Sequence, residues 1–227
     1  MSELVVIEKP NSHVSEEIKK VRTNLKFTAV SDDIKTIMIT SSVPGEGKSF
    51  ISANLAVSFA QNGEKVLIID CDLRKGRQKK IFEIAERKSG GFSSLLINKE
   101  WEEEYKKYIR KTKVENLYMI PSGPFPPNPS ELLSSERCKN IIEKLKTKFD
   151  IIILDCPPLV GLNDTLVISN YSDISIIVAK HKSTPMDLLE KSKKSLENVG
   201  VKKLSVVLNQ MDAKVNPYYY GHYYRDK

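Results

Sequence analysis

The stretch Ser42-Val43-Pro44-Gly45-Glu46-Gly47-Lys48-Ser49 constrains this chain more than any other. An apolar run, Ile37-Met38-Ile39-Thr40, precedes it, and a helical-looking segment, Phe50 to Ala60, follows. Strand, glycine-rich turn, Lys-Ser and helix is the layout of a phosphate-binding loop. Phosphates need backbone N–H groups aimed inward, and small residues let that backbone come close. The following helix adds the positive end of its dipole. Lys48 can reach terminal phosphates, and the Ser49 hydroxyl can hold Mg²⁺. The general pattern begins with glycine; Ser42 stands there instead.

Six apolar runs alternate with helical patterns. The strand candidates are Thr36–Thr40, Val66–Asp70, Leu117–Ile120, Ile151–Asp155, Ile174–Ala179 and Leu204–Leu208. Rich in Ile and Val, they read as strands covered on both faces. Helices are expected at Glu16–Thr28, Lys48–Gln61, Trp101–Lys111, Ser135–Lys148 and Pro185–Val199. This alternation predicts an α/β fold, a mostly parallel sheet flanked by helices, with P-loop NTPase architecture. Ligands of such sheets sit at the C-terminal strand ends. The Pro-rich run Pro121–Pro129 reads as a rigid loop after a strand.

Two of the strands end in acid. Val66-Leu67-Ile68-Ile69-Asp70-Cys71-Asp72 carries two carboxylates, and Ile151-Ile152-Ile153-Leu154-Asp155-Cys156-Pro157-Pro158 carries one. Beside a phosphate loop, such groups hold Mg²⁺ or take a proton from a nucleophile. Asp70 and Asp72 project to one side if the strand continues. The reading leans to Asp70 as base, with Asp155 and Ser49 serving Mg²⁺; the spacing alone leaves open which carboxylate does which. Arg74, Lys75 and Arg77 follow as phosphate-steadying groups or plain surface charge.

At 227 residues the chain is long enough for one domain with a full core. Its net charge of +7 is spread along the sequence rather than gathered in a block. It therefore reads as solvated helix faces, and no nucleic acid is expected. No apolar run approaches the ~20 residues that cross a bilayer, and Met1-Ser2-Glu3-Leu4 has no secretion pattern. Cys71, Cys138 and Cys156 lack metal spacing and fit reduced, packed thiols in a cytoplasmic protein. Five of the nine tyrosines cluster at Tyr218, Tyr219, Tyr220, Tyr223 and Tyr224, in a terminal stretch without apolar periodicity. That pattern predicts a single domain over 1–217 and a flexible tail over 218–227. The tail is either a sticky peptide or a set of phospho-acceptors, each phosphate adding about −1.5 to −2 charge.

Taken together, these motifs resemble the bacterial tyrosine kinases, and more closely their stand-alone cytoplasmic form from Gram-positive capsule and exopolysaccharide operons. The resemblance covers nearly the whole chain. Ser42–Ser49 matches the family's Walker A motif, Ile68–Lys75 its Walker A′, Ile152–Pro158 its Walker B, and Pro126–Leu133 its proline loop. The family's Glu-x-x-Arg-x-x-Arg motif falls on Glu16, Lys19 and Arg22, with lysine in place of the first arginine.

The resemblance implies ATP and Mg²⁺ as cofactors, bound through Gly45, Glu46, Gly47, Lys48, Ser49 and Phe50, with Asn209 beside the adenine. It implies Lys48, Asp70, Asp72 and Asp155 as catalytic residues, and Ser49, Asp70 and Asp155 around the metal. Further implications are autophosphorylation of the tyrosine cluster in trans, and a homo-oligomeric ring paired through helix 14–30 by Glu16, Lys19 and Arg22. A transmembrane adaptor would recruit the kinase to the inner face of the membrane, and a phosphotyrosine phosphatase would reverse it. Two other functions fit a phosphate loop of this kind: a partition or division-site switch ATPase, and a nucleotide-gated scaffold for polysaccharide assembly. The first normally has a lysine where Val43 stands, and lacks a tyrosine tail.

Overall fold

The structure, a computed structural model, describes residues 3–28, 34–85 and 90–211. The tyrosine cluster and the last two residues of the expected helix 14–30 lie outside them. In chain order the chain forms α1 (Val5–Glu8), α2 (His13–Thr28), β1 (Thr36–Ser41), α3 (Lys48–Gln61), β2 (Val66–Asp70), α4 (Gln78–Ile81), α5 (Phe92–Ile97) and α6 (Trp101–Glu104). It continues through β3 (Arg110–Lys111), β4 (Leu117–Ile120), α7 (Pro129–Ser134), α8 (Glu136–Lys146), β5 (Ile151–Asp155), α9 (Asp164–Ser169), β6 (Ile174–Lys180), α10 (Met186–Asn198) and β7 (Leu204–Asn209).

The strands form one seven-stranded sheet in the order β3-β4-β2-β5-β1-β6-β7, parallel except for β3. Alternate residues of each strand face opposite layers. Val66 and Ile68 of β2 join a core with Ile51, Leu55 and Phe59 of α3 and Ile18 and Leu25 of α2. Leu67 and Ile69 join a second core with Phe92, Ile141, Leu145 and Leu196 on the other face. The strand order reverses direction at β5 and β1, which places a crevice over their C-terminal ends. Three loops open there: those after β1, β2 and β5.

The short helices α1, α4, α5, α7 and α9 are not among the expected elements, and two expected segments end differently. The run Trp101–Lys111 is helical only to Glu104; Tyr105–Tyr108 tightens into a 3₁₀ turn and Arg110–Lys111 turns into a strand. Tyr105 and Tyr108 are buried as a helix would have them. Pairing of Arg110 with Met119 and Lys111 with Tyr118 gives the outer edge of β4 a hydrogen-bonded neighbour, and this tertiary contact overrides local propensity. The Pro-rich loop ends early as well, because Pro129 starts α7 at a position that needs no N–H donor. Ser135 then caps α8, its hydroxyl accepting from the Cys138 N–H at 3.2 Å. Among the described residues no helix is long and apolar enough to cross a membrane.

Candidate active site

The loop from Ser42 to Ser49 joins β1 to α3. Gly45 and Gly47 adopt φ of +87° and +93°, a region in which side chains are strained. At Gly47 space is also limiting, since a Cβ there would lie 2.1 Å from Asn209 Nδ2. That amide donates to the Glu46 carbonyl at 2.9 Å. The Glu46 carboxylate in turn accepts from the Val43 N–H at 3.0 Å and from the Thr184 hydroxyl. The ends of β6 and β7 thus brace the loop from one side. Asn209 meets the loop backbone here, and its side-chain oxygen accepts from the Gln210 N–H. Phe50 is half-buried and packs into the core beneath α3.

On the other side stand the carboxylates. Asp70 and Asp155 are register partners on adjacent strands, both fully buried. Asp72 lies just beyond. Lys48 Nζ sits 3.2 Å from Asp72 Oδ2, 3.8 Å from Asp155 Oδ1 and 3.4 Å from Ser49 Oγ. Burial pulls the Lys48 ammonium down, but Asp155, Asp72 and Asp70 together outweigh it and hold its pKa above the ordinary value. Asp70 is pushed up to about 8, first by burial and next by the neighbouring Asp155 charge. Its oxygens accept from the backbone N–H groups of Asp72 at 3.3 Å and Gln78 at 2.9 Å.

Several groups without a motif complete the arrangement. Ser52, one turn into α3, donates to Asp155 Oδ1 at 3.2 Å. Gly76 lets the loop after β2 close over Asp70, since a Cβ there would come within 2.8 Å of Asp70 Oδ2 and 2.2 Å of Ser122 Oγ. Asp164, fully buried at the start of α9, holds Arg74 at 2.8 Å and accepts from the Ser130 hydroxyl. It ties the loop after β2 to the proline loop and to the segment after β5. Lys75 and Arg77 stay at the surface, Arg77 pairing with Glu3. Cys71 and Cys156 are buried behind the aspartates, and burial together with Cys156 pushes the Cys71 thiol well above its ordinary range, so these are packing groups.

Glu16, Lys19 and Arg22 lie apart from this site, on α2. Glu16 and Lys19 pair with each other at 2.7 Å, and Arg22 donates to the Ser58 carbonyl of α3 at 2.8 Å.

The donor set suits Mg²⁺. It consists of hard oxygens, Asp70, Asp155 and Ser49, and two buried polar atoms at the site, Ser42 Oγ and Gln78 Oε1, have no hydrogen-bond partner in the protein. Among the described residues no three acidic, His or Cys groups converge tightly enough to cage an ion alone. Mg²⁺ in nucleotide sites needs no such cage, because phosphates and water complete its shell.

A model of the AAA domain family matches residues 34–211. Tyrosine-protein kinase YwqD of Bacillus subtilis is 36% identical over 91% of this chain and 85% of its own length. CapB of Staphylococcus aureus, described as a candidate tyrosine-protein kinase, is 38% identical over all of this chain and 97% of its own. The chain belongs to the bacterial tyrosine kinases. Solved kinase structures agree: the chimerical protein CapA2B2 superposes with a TM-score of 0.85 at 36% identity, covering 93% of this chain and 92% of that one. The kinase domain of Escherichia coli ETK gives 0.83 at 30% identity over 92% and 82%. The septum site-determining protein MinD of Pyrococcus horikoshii, at 24% identity and a TM-score of 0.62, shares the fold alone. In this tyrosine kinase, then, the braced loop and the facing aspartates lie together at the C-terminal end of the parallel strands.

Proposed function

We propose that this kinase uses ATP and Mg²⁺ to phosphorylate the tyrosine cluster Tyr218, Tyr219, Tyr220, Tyr223 and Tyr224 of a neighbouring copy. The observation that carries this reading is Lys48, held between Asp72 and Asp155 at the mouth of a glycine loop. An ammonium held by two carboxylates is one that phosphate can capture. When bound, Mg²⁺ supplies positive charge that neutralises the transferring phosphoryl group. Ser49, Asp155 and Asp70 would hold it. The loop amides and Lys48 orient the phosphates and stabilise charge on their oxygens.

We take Asp72, 5% exposed where Asp70 is fully buried, as the proton acceptor in place of Asp70, toward which the sequence reading leans. The tyrosine O–H bond breaks with its proton passing to Asp72. A new O–P bond forms as the γ-phosphorus parts from the bridging oxygen of ADP.

Copies would assemble in a ring through α2, and accumulated phosphate on the tails would separate them by repulsion. A separate transmembrane adaptor would hold the kinase at the inner face of the membrane. The match to Salmonella typhimurium Wzc supports this, since it spans only 30% of that longer protein, which carries further sequence on the same chain. Control of capsular or exopolysaccharide synthesis, with a phosphatase returning the tails to their ground state, follows the same reading.

The test is mass spectrometry of the purified chain after incubation with ATP and Mg²⁺, alone and with adaptor-bearing membranes. Phosphate confined to Tyr218–Tyr224, and absent in Lys48→Met, is the expected result. Nucleotide hydrolysis with unmodified tyrosines would point to a switch ATPase instead.

A further inference from the structure

Gln78 is the first residue of α4, fully buried, and belongs to none of the motifs. Its neighbours Arg77, Lys79 and Lys80 are charged, so a buried amide in their midst asks for an explanation. It touches three parts of the site at once. Its backbone N–H donates to Asp70 Oδ2 at 2.9 Å. Its side-chain Nε2 donates to Asp155 Oδ2 at 2.7 Å and to the Ser49 carbonyl at 3.0 Å. Both side-chain partners are acceptors only, so the amide has a single workable orientation. That orientation leaves Oε1 buried and without a protein partner. A buried carbonyl with no donor is a desolvation cost to the fold.

Asp155 shows the other half of the argument. Its Oδ2 is taken by Gln78, while its Oδ1 faces Ser52 at 3.2 Å and Lys48 at 3.8 Å. The amide therefore fixes which carboxylate oxygen is turned toward the lysine and the loop. We propose that Gln78 is a positioning residue for the metal in the nucleotide complex: its amide N–H₂ locks the Asp155 carboxylate, with the other carboxylate oxygen turned toward the lysine and the loop. Groups that hydrogen-bond a metal's ligands commonly govern metal affinity by about 10–100-fold. This inference rests on the nucleotide and metal reading above.

The experiment separates the two. Full-length wild type, Gln78→Met and Gln78→Asn are saturated with ADP and titrated with Mn²⁺, with free ion read by electron paramagnetic resonance. ADP affinity is measured in parallel by calorimetry in EDTA. Both substitutions keep the backbone N–H on Asp70. For Gln78→Met, metal-free ADP affinity should stay within about 2-fold of wild type while Mn²⁺ affinity falls about 10-fold or more. Gln78→Asn, too short to span both contacts, should lose metal affinity to a smaller degree, and decides the matter if thermal melting shows the Met variant unfolded. Wild-type Mn²⁺ affinity in the folded variants would overturn the role given to Gln78. A wild type that binds ADP with no Mn²⁺ effect would overturn the metal reading itself.

Discussion

The floor of the site and the flank that braces it are built to different standards. In the floor, every residue of β1, β2 and β5 is buried, and α3 is buried from Ser49 through Ala60 apart from half-buried Phe50. In the flank, β7 is half open: Val206 and Leu208 are 51% and 47% exposed, and α10 buries only Ser192 and Leu196. The floor holds three carboxylates and a lysine in low dielectric, where their fields are strong but small displacements are costly. The flank contributes Asn209 and Thr184, neutral groups that touch the loop through hydrogen bonds. Charge is placed where packing is tightest, and adjustable contacts where it is loosest.

Breaking the floor should have the largest consequence. Lys48→Met should lower the rate of tyrosine phosphorylation by roughly 100–1000-fold by radiolabel incorporation, and thermal melting should show it less stable, since Asp72 and Asp155 lose their cation. Next, Leu67→Ala, fully buried in β2, should cost about 2–5 kcal/mol in urea unfolding, whereas Leu208→Ala on β7 should cost under about 1 kcal/mol. Equal losses would erase the contrast. Arg74→Met leaves the buried Asp164 without its cation, and should destabilise by about 1–3 kcal/mol, discounted because the arginine is partly exposed.

A different kind of effect concerns pH. Folded Asp70 keeps its proton to about 8, while the unfolded carboxyl releases it near 3.8. The folded state binds more protons in between, so this contribution to stability is full below 3.8 and is lost as pH rises toward 8. In EDTA, Asp70→Asn should flatten that decline, and an unchanged slope would place its origin elsewhere.

Much of the sheet was legible in the sequence because its strands are short, apolar throughout and separated by helices; Val66–Asp70, Leu117–Ile120 and Ile151–Asp155 begin and end where the patterns predict. The loop and the three aspartates were legible because their residue types are rare at strand ends. Gln78 was not. Nothing in Gly76-Arg77-Gln78-Lys79 distinguishes a buried amide from a surface one, and its role exists only once α4 folds back over Asp155. Asp164 was equally silent, since its partners Arg74 and Ser130 are distant in sequence. Arg110 and Lys111 carried a helical pattern that only the free edge of β4 could override.

The parallel orientation of β7 has a kinetic consequence. Its last residue, Asn209, touches Glu46, so the strand ends beside the glycine loop. Covalent geometry limits the span from Asn209 to Tyr218 to about 32 Å at most. On the proposed reading, that reach bounds how far the acceptor hydroxyls can lie from the phosphate donor, and two copies side by side would each offer tyrosines at an effective concentration in the millimolar range. Phosphorylation rate would then follow the fraction of paired copies, and diluting an assembled sample would slow it only as the pairs come apart.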